Sequence, residues 1–229
     1  MYYLSHQTLD TDHGISLDVA VTAGDTSDKA PYLGQMERVM QLLPVQNATA
    51  DSAYDFGLAH QVLGEHGVSF WVRPMESGAH PSVEFNREQF QYDQDNDCFR
   101  CPNGKELALT GVSRNAGSSL HWVYSARRAD CQRCSMKERC LIKSLEDQSK
   151  RLTRSVFEDA AQKILSWVDL PEYQQALRLR QIWCEGTFVI QKWSHNLTRV
   201  LRRGLEAAED HCLLSAVSLN LKRMIKCIG

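Results

Sequence analysis

Val45-Gln46-Asn47-Ala48-Thr49-Ala50-Asp51-Ser52 follows directly on Pro44, and its small and apolar residues read as a short strand that delivers Asp51 at its C-terminal end. A helix is predicted from about Phe56 to His66, stopped by Gly67, and the apolar run Val68-Ser69-Phe70-Trp71-Val72 follows before Pro74. Two strands flanked by helices imply an α/β layer. Upstream, Tyr2 to Leu9 and Ile15 to Ala23 read as two strands, the second alternating Ile15, Leu17, Val19 and Val21 with more polar neighbours. Asp10-Thr11-Asp12-His13-Gly14 between them is turn chemistry, since Asp bonds locally and Gly accepts a positive φ. Thr26, Ser27 and Asp28 offer N-caps to a helix carrying Leu33, Met36, Val39, Met40 and Leu43, which Pro44 ends.

Downstream the pattern changes. From about Met75 to Arg151, Gly, Ser, Asn and Asp interrupt short β-like pieces, and five of the eight cysteines gather there. This reads as an inserted module. Helical periodicity returns from about Ser155, continues through Glu172 to Lys192, and finishes with Leu205 to Cys227, where Leu213, Leu214, Val217, Leu221 and Ile225 outline one face. The expected organisation is therefore 1–74 and 152–229 as two parts of one core, with 75–151 inserted.

At 229 residues and 43% hydrophobic, the chain can bury one substantial core with such a satellite. No run is long and apolar enough to span a bilayer, and Met1-Tyr2-Tyr3-Leu4-Ser5-His6 lacks the pattern of a secretion signal, so a cytoplasmic location and no membrane partner are expected. In that compartment clustered cysteines suggest metal rather than disulfides. The net charge of -2 conceals a gradient: residues 1–60 carry two Lys/Arg against eight Asp/Glu, and residues 151–229 carry twelve against eight. An acidic end can collect cations; a basic end can meet phosphates.

Two acids stand out. Asp51 should emerge at a sheet edge where ligands collect in open α/β folds, or else cap the segment beginning at Ser52. Glu185 lies among Ile182, Trp183, Phe188 and Ile190, where a desolvated carboxylate must be paired, protonated or metal-bound. Lys192 returns to nearly the same helix face seven residues later, too far for a favoured intrahelical pair. Carboxylates from a strand end and a distant helix suit Mg2+ or Mn2+, which take oxygen ligands, and Lys192 then suits a phosphate.

Several words of this sequence, in their order and spacing, resemble the DDE transposases of bacterial insertion sequences, in the branch whose third acid lies in a Tyr/Arg/Glu/Lys signature. They are Tyr3-Leu4-Ser5-His6-Gln7-Thr8-Leu9-Asp10-Thr11-Asp12-His13-Gly14, Ala50-Asp51-Ser52-Ala53-Tyr54, Cys101-Pro102-Asn103-Gly104-Lys105-Glu106-Leu107, Trp183-Cys184-Glu185-Gly186-Thr187-Phe188, Gln191 to Arg199, and Asn220-Leu221-Lys222-Arg223. The resemblance implies an RNase H-like core, a mixed sheet flanked by helices, with an inserted β-rich zinc-ribbon-like module. It implies metal-dependent DNA cleavage and strand transfer, with Asp51 as second acid, Glu185 as third and Lys192 as the signature lysine. Arg178 and Gln181 stand at the signature's tyrosine and arginine positions, with Arg180 nearby. Family members place the first aspartate on a strand upstream of the segment resembled here, so the expectation is an N-terminally truncated fragment, inactive alone. Asp10 and Asp12 are explained by the turn, and Asp18 is expected to face solvent. A stand-alone RNase H-like nuclease and a non-catalytic zinc-ribbon DNA-binding or regulatory remnant are the alternatives.

Cys98 and Cys101 form one C-x-x-C, Cys131 and Cys134 another, and Cys140 follows. Such knuckles read as a closed, structural Zn2+ site with four thiolates. Spacing allows either Cys98 or Cys140 as the fourth ligand; the resemblance favours Cys101, Cys131, Cys134 and Cys140. Lys192, Arg199, Arg202 and Arg203 can neutralise phosphates of double-stranded DNA at transposon ends and target, as can Lys222, Arg223 and Lys226. Trp193 can stack on a frayed base, although such an aromatic is more often core. Because transposases pair two ends, the resemblance also allows a homodimer.

Overall fold

The residues on either side of the Asp10–Gly14 turn form an antiparallel hairpin, β1 (Tyr3–Leu9) and β2 (Ser16–Ala23), in a computed structural model that describes residues 2–75, 83–114, 119–143 and 147–228. The turn owes its shape to Asp10. Its Oδ1 accepts the backbone N–H of Asp12 (2.9 Å) and His13 (2.7 Å), and its Oδ2 that of Ile15 (2.5 Å). Asp18 does not face solvent freely: its two oxygens accept Nε and Nη2 of Arg38, each at 2.8 Å. The pair holds the Asp18 carboxyl below the usual carboxylate range, although burial pushes it the other way.

The chain divides into two units, Met1–Met75 with Asp159–Gly229, and Glu76–Glu158. In the first, helix α1 (Tyr32–Leu42) starts later than the capping residues suggest. Turns closed by Thr26 N–H to Ala23 O and Ala30 N–H to Ser27 O intervene, and Pro31 becomes the N-cap without a side-chain bond. Strand β3 (Asn47–Thr49) then runs parallel to β4 (Ser69–Trp71), with α2 (Gly57–Glu65) as the crossover that parallel pairing requires. Tyr32 and Met36 of α1, Ala59 and Leu63 of α2, and Phe70 of β4 share one core with Tyr173 and Leu177 of helix α6 (Pro171–Arg180). Tyr173 donates its hydroxyl to the Val72 carbonyl at 2.9 Å.

A continuous mixed sheet was expected here, and the strands instead form two pairs. Among the described residues β1 pairs only with β2, and β3 only with β4. The same helices serve both pairs: α1 packs on the hairpin and, through Tyr32, against Phe70, while α6 packs on β3 and β4 and continues toward β1. Helix α8 (Leu205–Ile228) closes the hairpin's other side, burying Ala208 and Cys212 against Val21. No described helix is long and apolar enough to cross a membrane.

One buried pair was not visible in the sequence. His60 Nε2 lies 2.8 Å from Asp55 Oδ1, and the Met75 N–H donates to Asp55 Oδ2 at 2.7 Å. Burial pushes the Asp55 carboxyl up, but these partners outweigh it and hold the carboxyl below its ordinary value. A depressed folded pKa contributes stability that is present above the unfolded value, about 3.9, and lost as pH falls below it. Stability should therefore drop between about pH 4 and lower pH, and Asp55→Asn should flatten that drop while lowering stability at pH 7 by about 1–3 kcal/mol. Urea midpoints measured across that range check both effects.

The second unit is an antiparallel meander in the order β5 (Gln91–Asp93), β6 (Cys98–Arg100), β7 (Glu106–Arg114), β8 (Leu120–Ala126) and β9 (Arg151–Ser155). Short helices α3 (Arg128–Gln132) and α4 (Lys137–Cys140) lie between β8 and β9. The module extends past residue 151, because β9 pairs with β8 along its length. Phe99, Tyr124 and Leu107 centre its core, and Asp97 accepts both the Tyr92 (2.8 Å) and Tyr124 (2.6 Å) hydroxyls. Helix α5 (Glu158–Gln162) begins at the join between the units.

Candidate functional site

Asp51 leaves the end of β3 and caps the short 3-10 turn Ser52–Tyr54, its Oδ1 accepting Ala53 N–H (3.3 Å) and Ser52 Oγ–H (3.1 Å). The capping role foreseen for it is therefore real. The residue is nonetheless exposed. Partial burial raises its pKa, but the two bonds and the nearby Arg180 charge hold the carboxyl below the ordinary range. A carboxylate kept ionised at a strand end is able to accept a cation.

Helix α6, which packs on β3, has a fault in it. α6 passes through a π turn, Gln181–Glu185, before continuing as α7 (Gly186–Ser194). Such insertions re-aim side chains and recur at functional sites. Arg180, at the end of α6, acts on Asp51 and also on Cys184, while Tyr54 feels both Asp51 and Cys184. Strand β3, which ends just before Asp51, packs on α6, and α6 continues into the turn carrying Glu185, with Arg180 at the junction.

Glu185 differs from its sequence reading. It is exposed, as are Ile182, Val189 and Ile190, so it carries no desolvation penalty and needs no partner. The helix buries the other side: Thr187 and Gln191 are fully enclosed, and Gln191 exchanges two hydrogen bonds with Gln7 of β1 at 2.7 and 3.3 Å. Lys192 is exposed two turns beyond Glu185 on regular α-helix. Trp193, for which a core position was the commoner expectation, is 86% exposed.

The π turn is fixed to the hairpin. Trp183 Nε1–H donates to Thr11 O at 2.9 Å, and Arg223 lies over the Trp183 ring while donating to Gly14 O and Thr187 Oγ1. Asn220 exchanges bonds with Ser16 N–H and C=O at 2.8 and 2.9 Å. Asn220 and Arg223 therefore hold the hairpin end, and Arg223 is not a free phosphate ligand. Gly14 has φ +71°, and a Cβ there would clash with the Trp183 ring. Gly14→Ala should cost about 2 kcal/mol or more, from the left-handed backbone together with the displaced indole. A lowered urea midpoint is the readout.

Of the remaining basic residues, Arg199 and Arg203 are exposed, whereas Arg202 is held by Asp210 at 2.8 Å. An ion-paired arginine offers less to a phosphate. His195 is tied to α8 through Ser215 Oγ at 2.8 Å.

In the second unit one cavity is lined by Cys101, Cys131, Cys134 and Cys140, together with Phe90, Lys105 and Lys150. The Lys105 N–H points at Cys101 Sγ (3.3 Å), Lys150 N–H at Cys131 Sγ (3.5 Å) and Asn103 Nδ2–H at Cys134 Sγ (3.6 Å). Gly104, at φ +71°, makes the turn that brings the first of these donors round. Burial pushes the Cys140 thiol up, Lys150 opposes, and the other three thiols add to the rise. Cys98 lies elsewhere, buried in β6. Among the described residues no three His, Cys, Asp or Glu side chains stand close enough to hold a metal ion as they are placed.

Residues 100–225, more than half of the chain, match a family model described as Transposase DDE domain. The matched stretch holds the four cavity cysteines, Glu185 and Lys192; Asp51 precedes it. No curated protein and no solved structure matches the chain.

Proposed function

The chain belongs to the transposase DDE domain family, and on that premise we propose that Asp51 and Glu185 are the second and third acids of a DNA-cleaving and strand-joining site in an RNase H-like core. The observation that carries this is that β3, which ends just before Asp51, packs on α6, and α6 runs directly into the turn carrying Glu185. Two exposed carboxylates, one of them held ionised, fit Mg2+ or Mn2+, which bind through few protein oxygens and retain water. When bound, that ion supplies charge stabilisation at the attacked phosphorus and an acidified water. Lys192 neutralises a DNA phosphate beside Glu185, Trp193 stacks on an end base, and Arg199 and Arg203 add non-specific phosphate contacts.

The first acid, in this reading, is not assigned to any described residue. Asp10 is committed to its turn and Asp18 to Arg38, so neither substitutes for it. In this reading, cutting requires that first acid, whereas binding of DNA ends does not. Cleavage and strand-transfer assays on transposon-end DNA, with and without the upstream reading-frame extension, test this. Activity only in the extended protein supports it, and Mg2+-dependent cutting by the 229 residues alone refutes it.

The four cavity cysteines are proposed to bind a structural Zn2+ in a zinc-ribbon-like module. Three of the sulfurs already receive N–H donors of the kind that stabilise bound thiolates. Joining two DNA ends calls for two copies of the protein.

A further inference from the structure

A cleft of about 610 Å³ lies within the first unit, beside the π turn. Three elements wall it: the hairpin turn at Asp12 and His13, the helix at Trp183 and Ile190, and the end of α8. Its size is that of a small-molecule site. Ile190 and Lys192 point about 200° apart on the regular helix α7, so the cleft opens on the side away from Lys192.

The positive charge of this cleft is uncompensated. Arg223 is half-buried, and its bonds go to two neutral oxygens, Gly14 O and Thr187 Oγ1. Burial pushes its guanidinium below the usual value; Asp10 opposes this, but its carboxylate is spent on three N–H groups of the turn. Lys222 and Lys226 stand beside it on α8, Lys222 Nζ lying 3.5 Å from His195 Nε2. Among the described residues no carboxylate pairs with any of these three cations, and Asp12 is the one acid on the walls. A cation partly withdrawn from water calls for an anion. Between the charges the floor is apolar, formed by Trp183, Ile190, Leu219 and Ile225. A duplex backbone, all phosphate and sugar, has no face to lay on such a floor.

We propose that this cleft binds a soluble mononucleotide, its base laid on Ile190 and Ile225, a base N–H donated to Asp12, and its phosphate held by Lys222 and Lys226 with Arg223 behind them. A nucleotide combines what the walls ask for: a flat apolar face, N–H donors at one edge and an anion at the other end. The bound phosphate compensates Arg223, which holds Trp183 of the π turn, so the nucleotide acts as an effector that steadies the turn carrying Glu185. Binding itself involves neither Asp51 nor Glu185, and its failure would leave the cleavage-site assignment untouched.

Calorimetric titration of the 229-residue chain with adenosine and guanosine 5′-monophosphates gives the test. At least one should bind with a dissociation constant below about 1 mM. The matching nucleoside and inorganic phosphate should each bind at least about tenfold more weakly, as should the nucleotide to Lys222→Glu or Lys226→Glu. Both lysines are exposed, so urea midpoints should not change. Lys192→Ala should bind the nucleotide as wild type does, and hydrogen exchange at Gln181–Glu185 should slow on binding. Absence of binding, equal affinity for inorganic phosphate, or binding lost in Lys192→Ala but kept in Lys226→Glu overturns the proposal. So does a single-stranded oligonucleotide held more tightly than the mononucleotide through Lys222 and Lys226, which would make a DNA strand the occupant. Exchange at the π turn that is unchanged at saturation overturns the effector role.

Discussion

Asp51→Asn and Glu185→Gln should each lower Mg2+-dependent cleavage of transposon-end DNA at least about 1,000-fold, a loss of about 4 kcal/mol of transition-state stabilisation. The structure makes these clean substitutions. Asn caps a helical turn as well as Asp does, so the bonds from Ala53 and Ser52 survive in Asp51→Asn. Glu185 is exposed, and Gln there disturbs no packing. Urea midpoints should therefore stay within about 0.5 kcal/mol of wild type while activity collapses, and DNA-end binding should persist. Lys192→Ala should act differently, lowering affinity and its salt dependence by about one phosphate contact. Full activity in either acid variant would remove that residue from the chemistry.

The second large effect concerns the cysteine cavity. Cys131→Ser and Cys140→Ser should each abolish Zn2+ retention and unfold the Glu76–Glu158 unit, because a structural zinc site contributes on the order of 10 kcal/mol and, among the described residues, this unit's core cluster is small. Purified wild-type protein should carry about one zinc per chain, and a strong chelator should reproduce the variants' loss of β-sheet signal. Cys98→Ser should keep its zinc. That thiol is buried in β6 away from the cavity, so the change costs only packing. Zinc-free protein after metal-replete expression, with the meander intact, would show that the thiols are ordinary reduced core residues.

What the sequence reveals is the chemistry that acts locally. Asp10 and Gly14 announce their turn, since a carboxylate gathering three N–H groups and a residue at positive φ are properties of those side chains alone. The strand, helix and strand around Asp51 are legible for the same reason, and so is the gathering of cysteines. Direction is less legible. The apolar face traced on α8 points outward, because small residues, Ala208, Ser215 and Ala216, let the helix approach β2 closely while the larger residues stay outside. Glu185 reads as enclosed because its neighbours are apolar, yet two of them, Ile182 and Ile190, are exposed as well. The π turn leaves no compositional trace. The Gln7–Gln191 and Asp55–His60 pairs join residues whose roles depend on tertiary contact. The separation of β1 from β3 depends on what lies between their edges, which periodicity within each strand cannot report.

The account stands or falls on whether Asp51 and Glu185 serve one divalent ion. A crystal of the protein on transposon-end DNA with Mn2+, measured at the manganese absorption edge, tests this directly. The expected result is an anomalous peak within about 2.2 Å of a carboxylate oxygen of each residue, with Lys192 on an adjacent phosphate. Manganese bound elsewhere, or carboxylates too far apart to share it, would contradict the assignment.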